Sequence, residues 1–118
     1  MKYIIIISLI ILSISFFSCK QSTSPNENPD WIKGLIAKYQ SDTVGNPPQS
    51  IWRYDYKGQT VYYVPQQCCD QPSTLYDANG NIICAPDGGF SGQGDGRCTD
   101  FFQERRNEKL IWQDSRKR

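Results

Sequence analysis

Apolar residues form one run from Tyr3 to Phe17, broken only by serines, and then disappear between Lys20 and Asn28. A different rhythm follows. Ile32, Leu35, Ile36 and Tyr39 recur at helical spacing behind Asn28-Pro29-Asp30, which offers an N-cap, a proline for the first turn and an acid for the helix dipole. Gly34 weakens this helix, and Gly45-Asn46-Pro47-Pro48 ends it. The pattern then changes to aromatic and β-branched runs, Ile51 to Tyr56 and Thr60 to Val64, with Lys57-Gly58 between them as a tight turn. A two-residue loop there sets Tyr56 opposite Gln59, Tyr54 opposite Val61 and Trp52 opposite Tyr63. It pairs Ile51 with Val64, Arg53 with Tyr62 and Asp55 with Thr60 on the other face.

A second hairpin is predicted from Thr74-Leu75-Tyr76 and Asn81 to Cys84, joined by Asp77-Ala78-Asn79-Gly80 as a type I turn with a glycine bulge. In that register Tyr76 faces Ile82 and Leu75 faces Ile83, whereas Asn79-Gly80 as a two-residue loop shifts the pairing by one. Glycines dominate Pro86 to Arg97, so this stretch reads as loop. Asp100 to Arg106 suits a short helix, with Asp100 and Gln103 spaced as a capping box, and Leu110-Ile111-Trp112 reads as a last strand or apolar clasp. The expected fold is a small disulfide-stapled α+β domain over residues 29–118. One N-terminal amphipathic helix packs on an antiparallel sheet of four to five strands, built from two hairpins. The hairpins share architecture but no sequence repeat.

The first segment is not expected to be part of that fold. Lys2 precedes the apolar run, and the run is shorter than the ~20 residues a membrane-crossing helix needs. It ends at Cys19 without a basic stop-transfer cluster, so residues 1–18 read as a signal peptide. Phe16-Phe17-Ser18-Cys19 resembles the lipobox of bacterial lipoproteins, in an aromatic variant similar to that of the Bacteroidetes. The resemblance implies cleavage before Cys19, a diacylglyceryl thioether on its sulfur and acylation of the new amino terminus. Membrane lipid is then a partner through Cys19, because several acyl chains hold far better than one. Residues 19–28 would be the lipidated cysteine and a polar linker, with too little apolar surface to offset the entropy of ordering. Nine such residues place the domain ~15–18 Å from the lipid surface. Lys20 stands where some lipoproteins carry an inner-membrane retention aspartate, so by resemblance the outer membrane is expected, on its periplasmic or surface side.

Charge narrows the partners further. The chain carries thirteen basic and twelve acidic residues, and removal of Lys2 with the signal peptide leaves the two signs balanced. Nucleic acid is therefore not an expected partner. Arg116-Lys117-Arg118 is a local basic exception, read as a solvated tail with anionic headgroups as the alternative. There is no histidine, which removes Ser/His and Cys/His nucleophile pairs and imidazole metal sites.

Cys68, Cys69, Cys84 and Cys98 remain, an even number in an exported domain, and two disulfides are the expected framework. Side chains of adjacent residues on an extended segment point to opposite sides, which disfavours a Cys68–Cys69 bridge. Two connectivities stay open: Cys68–Cys84 with Cys69–Cys98, or Cys68–Cys98 with Cys69–Cys84. A four-cysteine zinc site lacks its usual paired C-x2-C spacing, and no basic neighbour flanks the vicinal pair to favour a reactive thiolate.

The stretch from Asp87 to Asp100 sets Asp87, Asp95 and Asp100 among glycines, an oxygen-rich environment of the kind calcium prefers. Gly92-Gln93-Gly94-Asp95 is similar to one unit of the glycine-aspartate nonapeptide of calcium β-helices, but that motif acts by repetition and occurs here once. A structural loop is the leading expectation, and calcium is the alternative ligand.

Taken together, Val61 to Pro65, Cys68-Cys69-Asp70, Leu75-Tyr76-Asp77, Gly80 to Cys84, Pro86-Asp87-Gly88-Gly89, Gly94-Asp95-Gly96, Cys98, Asp100-Phe101 and Asn107-Glu108 resemble a family of small bacterial lipoproteins classed as a domain of unknown function. The resemblance spans roughly residues 30–114. It implies kinship and cell-envelope localisation and carries no activity or catalytic residue. No catalytic residues are assigned. The expected function is a lipid-anchored, non-catalytic binding or accessory domain with an envelope protein or glycan as partner and no cofactor. The alternatives are a calcium-stabilised or redox-responsive interaction module, and a hydrolase using Asp87, Asp95 and Asp100 as acid and base.

Overall fold

A computed structural model describes residues 27–68 and 70–117. The expected signal peptide, Cys19 and most of the expected linker lie outside the described residues, as does Cys69.

The predicted helix is α1, Asp30–Ser41. Its N-cap is Pro29 rather than Asn28, and the Pro29 carbonyl accepts from the amides of Ile32 and Lys33 at 3.0 and 3.2 Å. Proline has no N–H to leave unsatisfied, so it closes the first turn through its carbonyl alone. Ile32 is fully buried beneath the helix, which stabilises the fold by ~1.5–3 kcal/mol. Leu35, Ile36, Tyr39 and Trp31 complete the buried face.

Strands β1 (Ser50–Tyr56) and β2 (Gln59–Val64) form the first hairpin. Its register, Trp52 with Tyr63 through Tyr56 with Gln59, is the one that the turn and the side-chain alternation specify. Lys57 and Gly58 both take positive φ, 49° and 75°, as a two-residue turn that matches strand twist requires. Strands β3 (Thr74–Tyr76) and β4 (Ile82–Cys84) form the second hairpin. Tyr76 pairs with Ile82 as expected, but a bulge between Tyr76 and Leu75 places Leu75 opposite Cys84 instead of Ile83. The extra residue turns the Cys84 side chain into the core.

The apolar clasp is a full strand, β5 (Arg106–Gln113), antiparallel to β1 with two register shifts. Its first residues are polar and exposed, which is why only the apolar Leu110 to Trp112 stands out in the sequence. The sheet order is β4-β3-β2-β1-β5. The short helix α2 spans Phe101–Glu104, and Arg106 belongs to the strand.

Two cores lie on opposite faces of this sheet. On one, α1 packs over Ile51, Tyr62 and Val64, with Trp112 and Tyr76 at the margins. On the other, Tyr54, Tyr56, Val61, Tyr63, Leu75, Cys84 and Cys98 gather around Phe101, which α2 delivers. Trp31 crosses edge-on to Tyr62 and donates its indole N–H to the Ala78 carbonyl at 2.9 Å, tying the start of α1 to the β3–β4 turn. Tyr39 stacks on Trp112 at the other end of the helix. The basic tail is not wholly solvated, because Arg116 bonds Asp114 at 2.7 Å and donates to the Tyr39 and Gln40 carbonyls. It thereby satisfies carbonyls that the end of α1 leaves without helical partners.

Candidate functional site

The glycine-rich segment between β4 and α2 carries most of the residues singled out in the sequence. Its ends are joined by a Cys84–Cys98 disulfide with Cα atoms 6.2 Å apart. Neither connectivity favoured from spacing contains this bridge. The adjacency of Cys68 and Cys69 argues against a bridge between them but carries no information on the loop's return path, which decides the partner of Cys84. Here the amide of Asp95 donates to the Ala85 carbonyl at 3.0 Å, which folds the loop back on its own start and brings Cys98 to Cys84. Cys68 is also disulfide-bonded. With these three sulfurs oxidised, a four-thiolate zinc site is not formed.

Glycines at 88, 89, 92, 94 and 96 all take positive φ. At Gly94 the reason is contact as well as conformation, since a Cβ there would strike the Ala85 carbonyl oxygen. The Gly92 amide donates to the Gly89 carbonyl at 3.2 Å, closing a turn with Phe90 and Ser91 at its tip. Phe90 is 97% exposed.

The three loop aspartates do not converge. Asp87 accepts the Tyr63 hydroxyl at 2.8 Å, and Asp100 accepts the Tyr56 hydroxyl at 2.5 Å and pairs with Lys57 at 2.9 Å. Asp95 accepts the Ala85 amide at 3.0 Å and pairs with Arg97 at 2.7 Å. Among the described residues, no three acidic or cysteine side chains gather into a group that could hold a metal ion. The capping box does not form either, because Tyr56 and Lys57 take the Asp100 carboxylate that would have capped α2.

A third tyrosine repeats the arrangement. Tyr54 donates to Glu108 at 2.6 Å, so three tyrosines of the α2-side core each end on a carboxylate at its rim. Burial is the largest cause that raises Tyr54 to about 12 and pushes Tyr63 higher still, with the adjoining carboxylates adding to both. These hydroxyls stay protonated donors at neutral pH. The Asp100 carboxyl is held below its ordinary range by the Tyr56 hydroxyl and Lys57, and Asp95 by the Arg97 amide. Both shifts run opposite to what a general acid needs. Glu108 and its neighbour Arg105 are not legible as site residues in the sequence. Their place beside Tyr54 depends on β5 pairing with β1, a contact between segments about fifty residues apart.

The elements also assign the two ends of the sheet. One holds the start of α1 and the β1–β2 and β3–β4 turns, where Gly80 lies against Trp31. The other holds the start of β3 and the glycine loop, which Gly89 joins to Gln71 through an amide–carbonyl bond of 3.2 Å. A shallow cleft beside it is lined by Tyr39, Gln49, Gln67, Gln71, Pro72 and Thr74, among others, with no charged side chain in its lining. An uncharged cleft and an exposed aromatic tip suit contact with another molecule rather than proton transfer.

Among the described residues, no helix is long and apolar enough to cross a membrane. No curated protein and no solved structure matches the chain. A family model, described as a domain of unknown function (DUF6970), matches residues 37–114, from the second half of α1 through β5. That span is more than half of the chain and includes the disulfide, the glycine loop and all five strands. The chain belongs to the DUF6970 family.

Proposed function

We propose that this protein is a lipid-anchored, non-catalytic binding domain of the bacterial cell envelope. It is held through Cys19, after removal of residues 1–18, in the outer membrane, and it contacts an envelope protein or glycan through the glycine loop. The observation that carries the binding reading is Phe90, almost fully exposed at the tip of a loop whose ends are joined by a buried disulfide. An exposed phenylalanine gains nothing for the fold of its own domain, and a large aromatic on a constrained loop loses little entropy when covered by a partner.

Its position favours the same reading. A chain anchored at Cys19 enters the domain at the start of α1, and this helix of ~18 Å runs toward the end of the sheet that bears the loop. The loop that bears Phe90 thus lies at the end of the sheet opposite the entry of the linker, where a tethered domain leaves it accessible.

The test uses the full-length chain in a bacterium that processes lipoproteins of this type. Wild type is expected in the outer-membrane fraction, with Cys19→Ser released from it. A C19S variant that fractionates like wild type would overturn the anchor. For the binding surface, a photo-crosslinking residue at Ser91 is expected to give discrete adducts in living cells that Phe90→Ala abolishes. Adducts of equal yield in F90A, or none in wild type, would refute the assignment of Phe90.

A further inference from the structure

Arg105 lies between α2 and β5 and is half-buried. Its guanidinium carbon sits 4.9 Å from the ring centroids of both Tyr54 and Phe102 and 5.8 Å from that of Phe101. One Nη donates to the Tyr54 hydroxyl at 3.0 Å, and that hydroxyl donates onward to Glu108. The other N–H groups of this guanidinium find no protein acceptor among the described residues, and no carboxylate pairs with it. Lys33, Lys38, Lys57, Arg97 and Arg116, by contrast, each sit on a carboxylate.

Arg105 lines an open concavity of about 220 Å³ with Tyr54, Arg106, Asn107 and Glu108. Two of these neighbours are already committed. Arg106 donates to the Gln103 and Arg105 carbonyls, and Asn107, held at φ 56°, donates its side-chain amide to Asp55 at 2.6 Å. The concavity thus contains one guanidinium that is oriented by aromatic rings and a tyrosine hydroxyl but not neutralised. Ring contacts of this kind offset part of the cost of partial burial and leave the hydrogen-bonding edge available.

We propose that Arg105 is the receptor for a carboxylate carried by a ligand of this domain. A planar carboxylate matches the guanidinium fork through two parallel hydrogen bonds. Among the described residues, Arg105 and Arg106 line the concavity without a carboxylate partner and Glu108 lies beside them, so one net positive charge remains, which suits a monoanion and disfavours a phosphate dianion. An acidic peptide side chain and a sugar acid present the same group, and the test distinguishes these two sources. This site is built from the α2–β5 junction and does not depend on the reading of Phe90 given above.

The test follows the Arg105 side-chain N–H resonance and the backbone amides of residues 105–108 in the isotope-labelled full-length chain, held in maltoside micelles at pH 7 and constant ionic strength. The probes are N-acetylglutamate amide, methyl glucuronide and inorganic phosphate. Saturable shifts with one or both carboxylates are expected, and whichever acts identifies the source. Arg105→Gln should abolish them, Phe90→Ala should leave them intact, and Glu108→Gln should tighten binding about threefold, the factor for removing one unit charge ~6 Å away in a water-like dielectric. No saturable shift with either carboxylate, an unchanged response in R105Q, or a response to phosphate alone would overturn the proposal. If R105Q fails to fold, the E108Q arm decides, and carboxylate binding no tighter than wild type refutes it.

Discussion

Replacing both Cys84 and Cys98 with alanine, while leaving Cys68 and Cys69 in place, tests how far the glycine loop depends on its bridge. The bond closes a segment with a sequence separation of 14, for which the loss of unfolded-chain entropy corresponds to about 3 kcal/mol at 25 °C. Both cysteines are buried, at 0% and 6% exposure, in the core around Phe101, so removal of their sulfurs leaves small voids that add up to about 1 kcal/mol. The expected loss of ~3–4 kcal/mol is a large share of the roughly 5–10 kcal/mol that holds a domain of this size together. With a urea dependence of ~1 kcal/mol per molar, the unfolding midpoint should fall by about 3–4 M. Tryptophan fluorescence reports the transition, since Trp31, Trp52 and Trp112 all pack against the cores. A midpoint within 0.5 M of wild type, on the order of 0.5 kcal/mol, would refute the argument that the bridge constrains this loop. Intact-mass analysis after alkylation of the folded wild type gives an independent check, with Cys84 and Cys98 expected to stay unmodified.

Two further outcomes follow from the same region. Gly94→Ala should cost well over ~2 kcal/mol, because it combines a positive φ of 67° with a collision against the Ala85 carbonyl, whereas Gly92→Ala has open space and bears only the ~1–2 kcal/mol conformational cost. Equal losses in urea unfolding would deny the close backbone approach at Gly94. The Asp100 carboxyl, lowered in the fold by Tyr56 and Lys57, contributes stability that is complete above the ordinary carboxyl range and is lost as pH falls through its folded value. Asp100→Asn should therefore flatten the decline of the urea midpoint below about pH 4. A decline as steep as that of wild type would remove Asp100 from the acid response.

The features legible in the sequence are those decided within a few residues. The apolar face of α1 follows from side-chain spacing, and the β1–β2 register follows from alternation agreeing with a two-residue turn at Lys57-Gly58. The α+β class follows from those elements together, because one helix face and one alternating sheet must bury each other. Where a local signal was incomplete, the outcome shifted by one residue: Pro29 replaced Asn28 at the cap, and a bulge moved Leu75 from Ile83 to Cys84. A cap or bulge changes the free energy by about 1 kcal/mol, which packing elsewhere readily outweighs.

Other features required the assembled chain. The pairing of β5 with β1 is a long-range contact, and the polar start of β5 offers no apolar rhythm to announce it. The Cys84–Cys98 bond depends on the loop folding back at Ala85 and Asp95, and the use of Asp100 depends on Tyr56 and Lys57 arriving beside it. Arg116 caps α1 for the same reason, across more than seventy residues of sequence. Spacing and turn chemistry act locally, so α1 and the two hairpins follow from the order of residues along the chain. Tertiary structure alone decided which sulfur, carboxylate or guanidinium each group meets, because a buried polar group takes whichever partner the packed elements bring within reach.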